Sequence, residues 1–86
     1  MKLLQRIPFS FEDRNYEIRI LSGDNTINVV AFHNNYPVNG FRHYIKLPQK
    51  YNPQKLLNTD ILNEIVCISQ DDIIKRRWEK VVNILK

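Results

Sequence analysis

Residues 60–86 contain two amphipathic segments whose apolar sides are out of phase, and this feature limits the possible folds more than any other. Counted at about 100° per residue, one stripe of a helix comprises Ile74, Trp78, Val81, Val82 and Leu85. A continuous straight helix would point the stripe of residues 61–66 roughly 170° away from this one. One straight helix therefore cannot bury both stripes against one sheet.

We predict a break near residues 68–70 that resolves this conflict. Ser69 is a suitable N-cap, Asp72 stands three residues later, and acidic side chains suit the positive end of a helix dipole. The second helix would then cover the sheet with Trp78 at the centre of its stripe. The alternative is one long helix whose second half contacts a partner chain, as in an obligate or swapped dimer.

Upstream of these helices the sequence alternates in the way that strands do. We interpret residues 1–6 as a tail and Ile7, Phe9 and Phe11 as one side of an extended edge segment, because Pro8 lacks a ladder donor. A polar turn over residues 12–15 follows.

Tyr16, Ile18 and Ile20 mark the buried side of the next strand. Gly23 and Asp24 predict a two-residue hairpin loop in which the glycine takes a positive φ. That loop would place Ile20 opposite Ile27, Ile18 opposite Val29 and Tyr16 opposite Ala31.

Two further strands are predicted, one over residues 27–33 and one over residues 41–47. The first is apolar on both sides and suits a central position. In the second, the odd-numbered residues are the less polar set. Placing them on the core side requires an odd loop or a bulge near Asn39 and Gly40.

Helical signals begin after Pro48. Asn52 and Pro53 predict a cap followed by a first helical residue, and Thr59 predicts the start of a longer helix. Its expected inner side comprises Ile61, Leu62, Ile65, Val66 and Ser69. The order predicts a single α+β domain over residues 1–86, with a three-stranded, possibly four-stranded, antiparallel meander packed on one face by C-terminal helices.

Composition bounds the class of protein. The 86 residues allow one core, and the formal net charge of +4 is compatible with an anionic partner. No apolar run reaches the roughly 18 residues of a membrane span, and residues 1–6 do not resemble a signal peptide. We therefore expect a cytoplasmic protein with no membrane partner. Cys67, the one cysteine, is predicted to be a buried structural thiol.

No catalytic, cofactor or metal motif is recognisable, and we expect a protein that is not an enzyme. His33 and His43 fall on the same side of the predicted sheet, yet with Cys67 they lack the spacing of a zinc site. The adjacent acids Asp71 and Asp72 are explained by the expected helix start. The sequence thus predicts no catalytic residue, no cofactor and no metal ligand.

The side of the sheet away from the helices is the first candidate interaction face. It combines basic and aromatic or apolar side chains at Arg19, Val30, Phe32, Arg42, Tyr44 and Lys46. Exposed Val30 and Phe32 would suit a protein interface or a homodimer contact. Rings among cations equally suit single-stranded nucleic acid, and the face could also lack a specific role.

A basic helix face is the second candidate, with Arg76 and Lys80 as its members. Glu79 interrupts it, so an ordinary solvated helix surface is the competing interpretation. We predict a small interaction module that self-associates or binds another protein. The alternative is a basic nucleic-acid-binding domain that uses the exposed sheet face.

Overall fold

A computed structural model describes residues 1–86 as an antiparallel sheet with two helices packed on one face. The sheet order is β1-β2-β3, and two short strands, β4 and β5, both pair with the free edge of β3. The strand bounds are β1 Lys2–Phe11, β2 Arg14–Gly23, β3 Thr26–His33, β4 Tyr36–Pro37 and β5 His43–Lys46. The predicted α+β class with an antiparallel sheet is confirmed, and the sheet contains the fourth strand that the prediction left open.

The first strand is longer than the sequence pattern indicated. β1 begins at Lys2 and pairs with β2 along its whole length, with a register shift between Leu3 and Gln5. The interpretation of residues 1–6 as a tail is therefore wrong, because their backbone is held by the edge of β2. The edge position of β1, which Pro8 indicated, is confirmed.

The strand register of the β2–β3 hairpin differs from the predicted register by two residues, because the loop begins one residue later. Its loop is Asp24–Asn25, and it is Asn25 that has the positive φ of 54°, while no glycine has a positive φ. Ile20 consequently lies opposite Val29 and Ile18 opposite Ala31. The predicted partners were wrong, but a shift of two residues keeps every side chain on its expected side of the sheet.

The strand predicted over residues 41–47 is shorter, and a separate two-residue strand, β4, precedes it within the predicted connection. β4 pairs with Phe32 and His33, whereas β5 places Ile45 opposite Ile27 and His43 opposite Val29. The register changes by three residues across the irregular segment 38–42. This irregularity at Asn39 and Gly40 puts the odd-numbered residues of β5 on the core side, as predicted.

Helical structure begins where the caps indicated. The Asn52 carboxamide oxygen accepts a hydrogen bond from the backbone N–H of Gln54 at 3.0 Å, before a 3-10 helix over Pro53–Leu56. The Thr59 hydroxyl accepts from the N–H of Leu62 at 3.3 Å, before α1, which spans Asp60–Ile74. The second helix, α2, spans Arg77–Leu85.

Two helices are present, but the break lies six residues beyond the predicted point. Ser69 is buried in the middle of α1 and caps nothing, while Asp71 and Asp72 lie in the last turn of α1. The break occurs at Arg76, whose φ of 52° and ψ of 40° are left-handed. This one residue ends the first helix and changes the direction of the chain. The prediction of a break at residues 68–70 and the alternative of a single long helix are therefore both wrong.

The core lies between α1 and strands β2 and β3. It comprises Ile18, Ile20, Ile27, Val29, Ala31, Leu47, Leu62 and Val66. Leu62, Val66 and Ser69 confirm most of the predicted inner side of α1, but Ile61 is 63% exposed and Cys67 is exposed as well. The prediction of a buried Cys67 thiol is therefore wrong, because α1 turns that side toward solvent. No residue of α2 belongs to the core, so α1 is the helix that covers it.

Candidate functional site

The side of the sheet away from the helices follows directly from the strand register. Arg6 lies opposite Arg19, and Arg19 lies opposite Val30. Cross-strand partners point to the same side of a sheet. With Tyr44 opposite Asn28 and Lys46 opposite Thr26, the same side continues onto β5. Arg42 lies just before β5 in the irregular segment, where its Nη1 donates to the carbonyl oxygens of Asn39 and Phe41. We include it with the strand residues and call the following set the basic sheet face: Arg6, Arg19, Phe32, Arg42, Tyr44 and Lys46.

Val30 belongs to this side of the sheet but is only 4% exposed, which corrects the prediction that it forms an exposed apolar patch. It lies on the central strand β3, directly opposite Arg19 on β2. A long arginine side chain covers neighbouring apolar surface with its methylene groups. The face therefore combines charges and aromatic rings with a smaller aliphatic area from Leu3, which is 37% exposed, and the half-buried Leu21.

Arg19 is held in place by three neighbours. Its Nε donates to Glu17 Oε1 at 2.6 Å, its Nη2 donates to Asn35 Oδ1 at 2.6 Å, and its Cζ lies 4.2 Å from the centre of the Phe32 ring. The guanidinium is thus fixed above an aromatic ring, and Phe32 is half-buried. In contrast, Tyr44 is 65% exposed, and neither Arg42 nor Lys46 forms an ion pair.

The basic helix face is not assembled as the sequence suggested. Arg76 lies between the helices, and its Nη2 donates to both carboxylate oxygens of Glu12 in the β1–β2 turn, at 2.9 and 2.7 Å. Lys80 lies on α2 and forms no ion pair. Arg77 and Lys75 are paired with the acids of α1. Most positive charge near the helix break is therefore matched by carboxylates within the chain.

Sequence reasoning missed a buried carboxylate that connects β5 with both helices. Asp72 is 5% exposed; its Oδ2 lies 2.8 Å from Nε2 of His43, and its Oδ1 accepts from Nη1 of Arg77 at 2.9 Å. Both carboxylate oxygens are occupied, as a buried charge requires. The signal that could have indicated this burial is the pairing of Asp72 with a basic residue far away in the chain, and a single sequence does not reveal such pairings.

Ion pairing shifts the pKa values of three groups around this junction. A hydrogen bond from Lys75 is the largest cause that lowers the pKa of Asp71, with Arg77 adding to it. The Glu12 carboxylate raises the pKa of Arg76, and the Asp72 carboxylate raises the pKa of Arg77. Carboxylates in the last turn of a helix meet the negative end of its dipole, so these cations offset an unfavourable position.

The apolar stripe of α2 is defined here as Trp78, Val81, Val82 and Leu85. No residue of α2 is buried, and Leu85 is 76% exposed. Trp78 is the best-packed member, with its ring edge against Phe41 at a centroid distance of 5.5 Å. An amphipathic helix normally buries its apolar side. Here Trp78, Val81 and Val82 are only partly buried and Leu85 is exposed, so the stripe is incompletely covered.

A cleft of about 770 Å³ lies between two hairpin turns and the helix break. Tyr16, Tyr36 and Trp78 contribute aromatic rings to it, and the Glu12–Arg76 pair forms part of one wall. Its side chains carry charges of both signs. This mixture does not favour one class of ligand, and no pattern in the sequence indicated the cleft.

His33 and His43 share a side of the sheet, as predicted, but they make separate contacts. The Nδ1–H of His33 donates to the carbonyl oxygen of Asn15 at 2.8 Å, whereas His43 contacts Asp72. No group of three or more His, Cys, Asp or Glu side chains is placed to hold a metal ion.

Comparisons with protein-family models, curated proteins and solved structures find no match to this chain. Neither helix has the length and apolar character needed to cross a lipid bilayer. What the fold and its surfaces define is an α+β protein with an antiparallel sheet, an incompletely covered helix stripe and a basic sheet face.

Proposed function

We propose that this protein is a small, non-enzymatic interaction module that self-associates through the apolar stripe of α2. The observation that carries the proposal is that α2 is amphipathic but contains no buried residue. A nine-residue helix is marginal in water without tertiary packing. A second copy that covers the stripe would supply that packing.

The charges beside the stripe favour a second copy of this chain in an antiparallel arrangement. At about 100° per residue, Glu79 and Lys86 lie on one side of the stripe and Arg77 on the other. Two copies related by a two-fold axis bring the same sides of their helices together. Glu79 of each copy would then meet Lys86 of the other, with opposite charges paired twice.

The expected dimer is weak and depends on concentration. A specific, stable interface buries about 1,200 Å² or more, and two nine-residue helices offer a smaller surface. Ile84, which is exposed beside the stripe, extends the apolar area. We also propose a cytoplasmic location, which the free thiol of Cys67 supports, since reducing compartments keep thiols unpaired.

Light scattering after size exclusion, over a range of protein concentrations, tests self-association. The expected mass rises from 10.3 kDa toward twice that value as concentration increases. Val82→Asp should hold the mass at the monomer value, because it places a charge in the stripe. Ile61→Asp is the matched control, since Ile61 is exposed on α1 and outside the stripe. A wild-type mass that stays at 10.3 kDa at every concentration contradicts the proposal.

The antiparallel arrangement has its own test. Glu79→Lys and Lys86→Glu should each weaken the dimer, and the double exchange should restore it, because the charges pair again in reversed order. Another outcome is a dimer that Val82→Asp dissociates but that neither charge reversal affects. That result would support the stripe as the interface and contradict the antiparallel pairing of Glu79 with Lys86.

A further inference from the structure

The basic sheet face takes no part in the proposed self-association, and its chemistry points to a different ligand. We propose that this face binds single-stranded nucleic acid, with cations on the phosphates and Tyr44 stacked on a base. The proposal does not depend on the dimer, because Arg77 of α2 joins His43 through Asp72 on the core side of the sheet, away from this face.

Charge is the first argument. The face holds four cations, Arg6, Arg19, Arg42 and Lys46, and Glu17 is the acid among them. Its balance of three positive charges is most of the formal net charge of +4 of the whole chain. Cations concentrated on one surface are the electrostatic footprint of a polyanion site. The cations near the helix break are neutralised by contrast, because Asp71, Asp72 and Glu12 pair with them.

The second argument is the placement of rings among these cations. Tyr44 and Lys46 point to the same side of β5, and their Cα atoms are about 6.6–6.8 Å apart, the spacing of alternate residues in a strand. A base stacked on the exposed Tyr44 ring would bring its phosphates near Lys46 and Arg42. Stacking on aromatic side chains is the common mode of single-strand binding and tolerates any base.

Arg19 provides a preformed positive charge beside this ring. Glu17, Asn35 and Phe32 fix its guanidinium, so the group loses little conformational freedom when a ligand arrives. Its side chain is 16% exposed and lies over Phe32, so it suits a contact with a phosphate rather than a stacked base. That contact would occupy the row of the sheet next to Tyr44, since Arg19 lies opposite Val30 and Tyr44 opposite Asn28.

The burial of Val30 favours nucleic acid over a protein partner at this face. A protein interface normally has an apolar centre from which charged residues are depleted. Here Val30 at the centre is buried, and Arg19 lies over the half-buried Phe32 ring. The exposed Tyr44 shares its strand with Lys46. Single strands are favoured over a duplex because stacking on a flat sheet requires bases that are not already paired.

Fluorescence anisotropy with end-labelled oligo(U) and oligo(dT), at several salt concentrations, tests the proposal. Arg42→Gln/Lys46→Gln should weaken binding at least about tenfold at low salt. It should also reduce the slope of log affinity against log salt by about 0.7 for each lost phosphate contact. Tyr44→Ala should weaken binding about fivefold or more, while Tyr44→Phe should retain it.

Lys55→Gln/Lys80→Gln is the matched control, because it removes two exposed cations from the helical side of the molecule. This variant should bind nearly as the wild type does. Equal weakening by the two pairs, tight binding of a duplex that Tyr44→Ala does not affect, or no binding at 50 mM salt would each overturn the proposal. Circular dichroism and light scattering of every variant separate loss of binding from loss of folding or of the dimer.

Discussion

The indole ring of Trp78 lies directly against the backbone of Gly40, where any side chain would collide with it. A Cβ atom at Gly40 would come within 2.6 Å of Cζ3 and 2.7 Å of Cζ2 of the ring. Gly40 lies in the irregular segment between β4 and β5, and Trp78 is in the first turn of α2. Glycine is therefore required at this position by space, and its φ is not positive.

We expect Gly40→Ala to lower the free energy of unfolding by about 1–3 kcal/mol, because overpacking forces the ring or the backbone to move. Urea unfolding followed by tryptophan fluorescence measures this, since Trp78 is the one tryptophan of the chain. The matched control is Gly23→Ala, whose Cβ would meet its nearest neighbours at an acceptable 3.4 Å. Equal midpoints for the two variants would contradict the contact.

Asp72 is expected to stabilise the junction of β5 with both helices. Asp72→Asn should lower the free energy of unfolding by about 1.5–3 kcal/mol, the range for hydrogen bonds to charged groups. Asp71→Asn is the adjacent control, since Asp71 is 38% exposed and its ion pairs are screened by solvent. The loss should be clearly smaller there. Denaturant unfolding of the two variants makes the comparison, and equal losses would argue against a special role for the buried carboxylate.

The ion pairs of Asp71 predict a pH dependence. A hydrogen bond from Lys75 is the main cause that lowers the pKa of Asp71 below its usual value of 3.8. A carboxyl whose pKa is lower in the folded state contributes stability that is fully present above the unfolded value. This contribution is lost as the pH falls through the folded pKa.

Carboxyl-detected NMR titration tests this directly. The pKa of Asp71 should lie below 3.8 in the wild type and should rise in Lys75→Gln. Lys80→Gln, which removes a cation that forms no ion pair, should leave it unchanged. A wild-type pKa at or above 3.8 would show that Lys75 and Arg77 do not hold the carboxylate in solution.

The left-handed conformation of Arg76 predicts an inverted response to glycine. Within a helix, glycine is less stable than alanine by about 1 kcal/mol, but the left-handed region costs an L-residue about 1–2 kcal/mol that glycine avoids. Arg76→Gly should therefore have a higher urea midpoint than Arg76→Ala, since both lack the pair with Glu12. At Lys80, inside α2, the order should be the reverse. The same order at both positions would mean that the break is not at Arg76.

The sequence predicts the sides of the strands well because alternation has a period of two. The alternation within one strand is enough to assign Tyr16, Ile18 and Ile20 to the core side, without knowing which strand pairs with it. The register was harder, because Gly23-Asp24 and Asp24-Asn25 both form acceptable hairpin loops. Asparagine tolerates a positive φ nearly as readily as glycine, and here Asn25 adopts it. A local pattern cannot rank two such loops, since the difference lies in cross-strand packing.

The helix break was misplaced for a similar reason. Ser69 and Asp72 have the spacing of a cap, but both are buried on the inner side of α1, where Asp72 meets His43 and Arg77. These partners come from distant parts of the chain, so local propensity could not reveal them. The exposure of Val30 was misjudged because strand alternation assigns a side of the sheet but not how far neighbouring side chains cover a residue of the central strand.

The direction change at Arg76 makes α2 the least anchored of the longer elements. It contributes nothing to the core and is tied to the rest at one end, through Trp78 and the ion pairs of Arg77. Such an element opens at a much lower free energy than the strands that carry the core, so its amides should exchange with solvent first. If two copies pair along this helix, mass action links its order to protein concentration. The cell would then adjust the folded fraction of α2 simply by how much of the protein it makes.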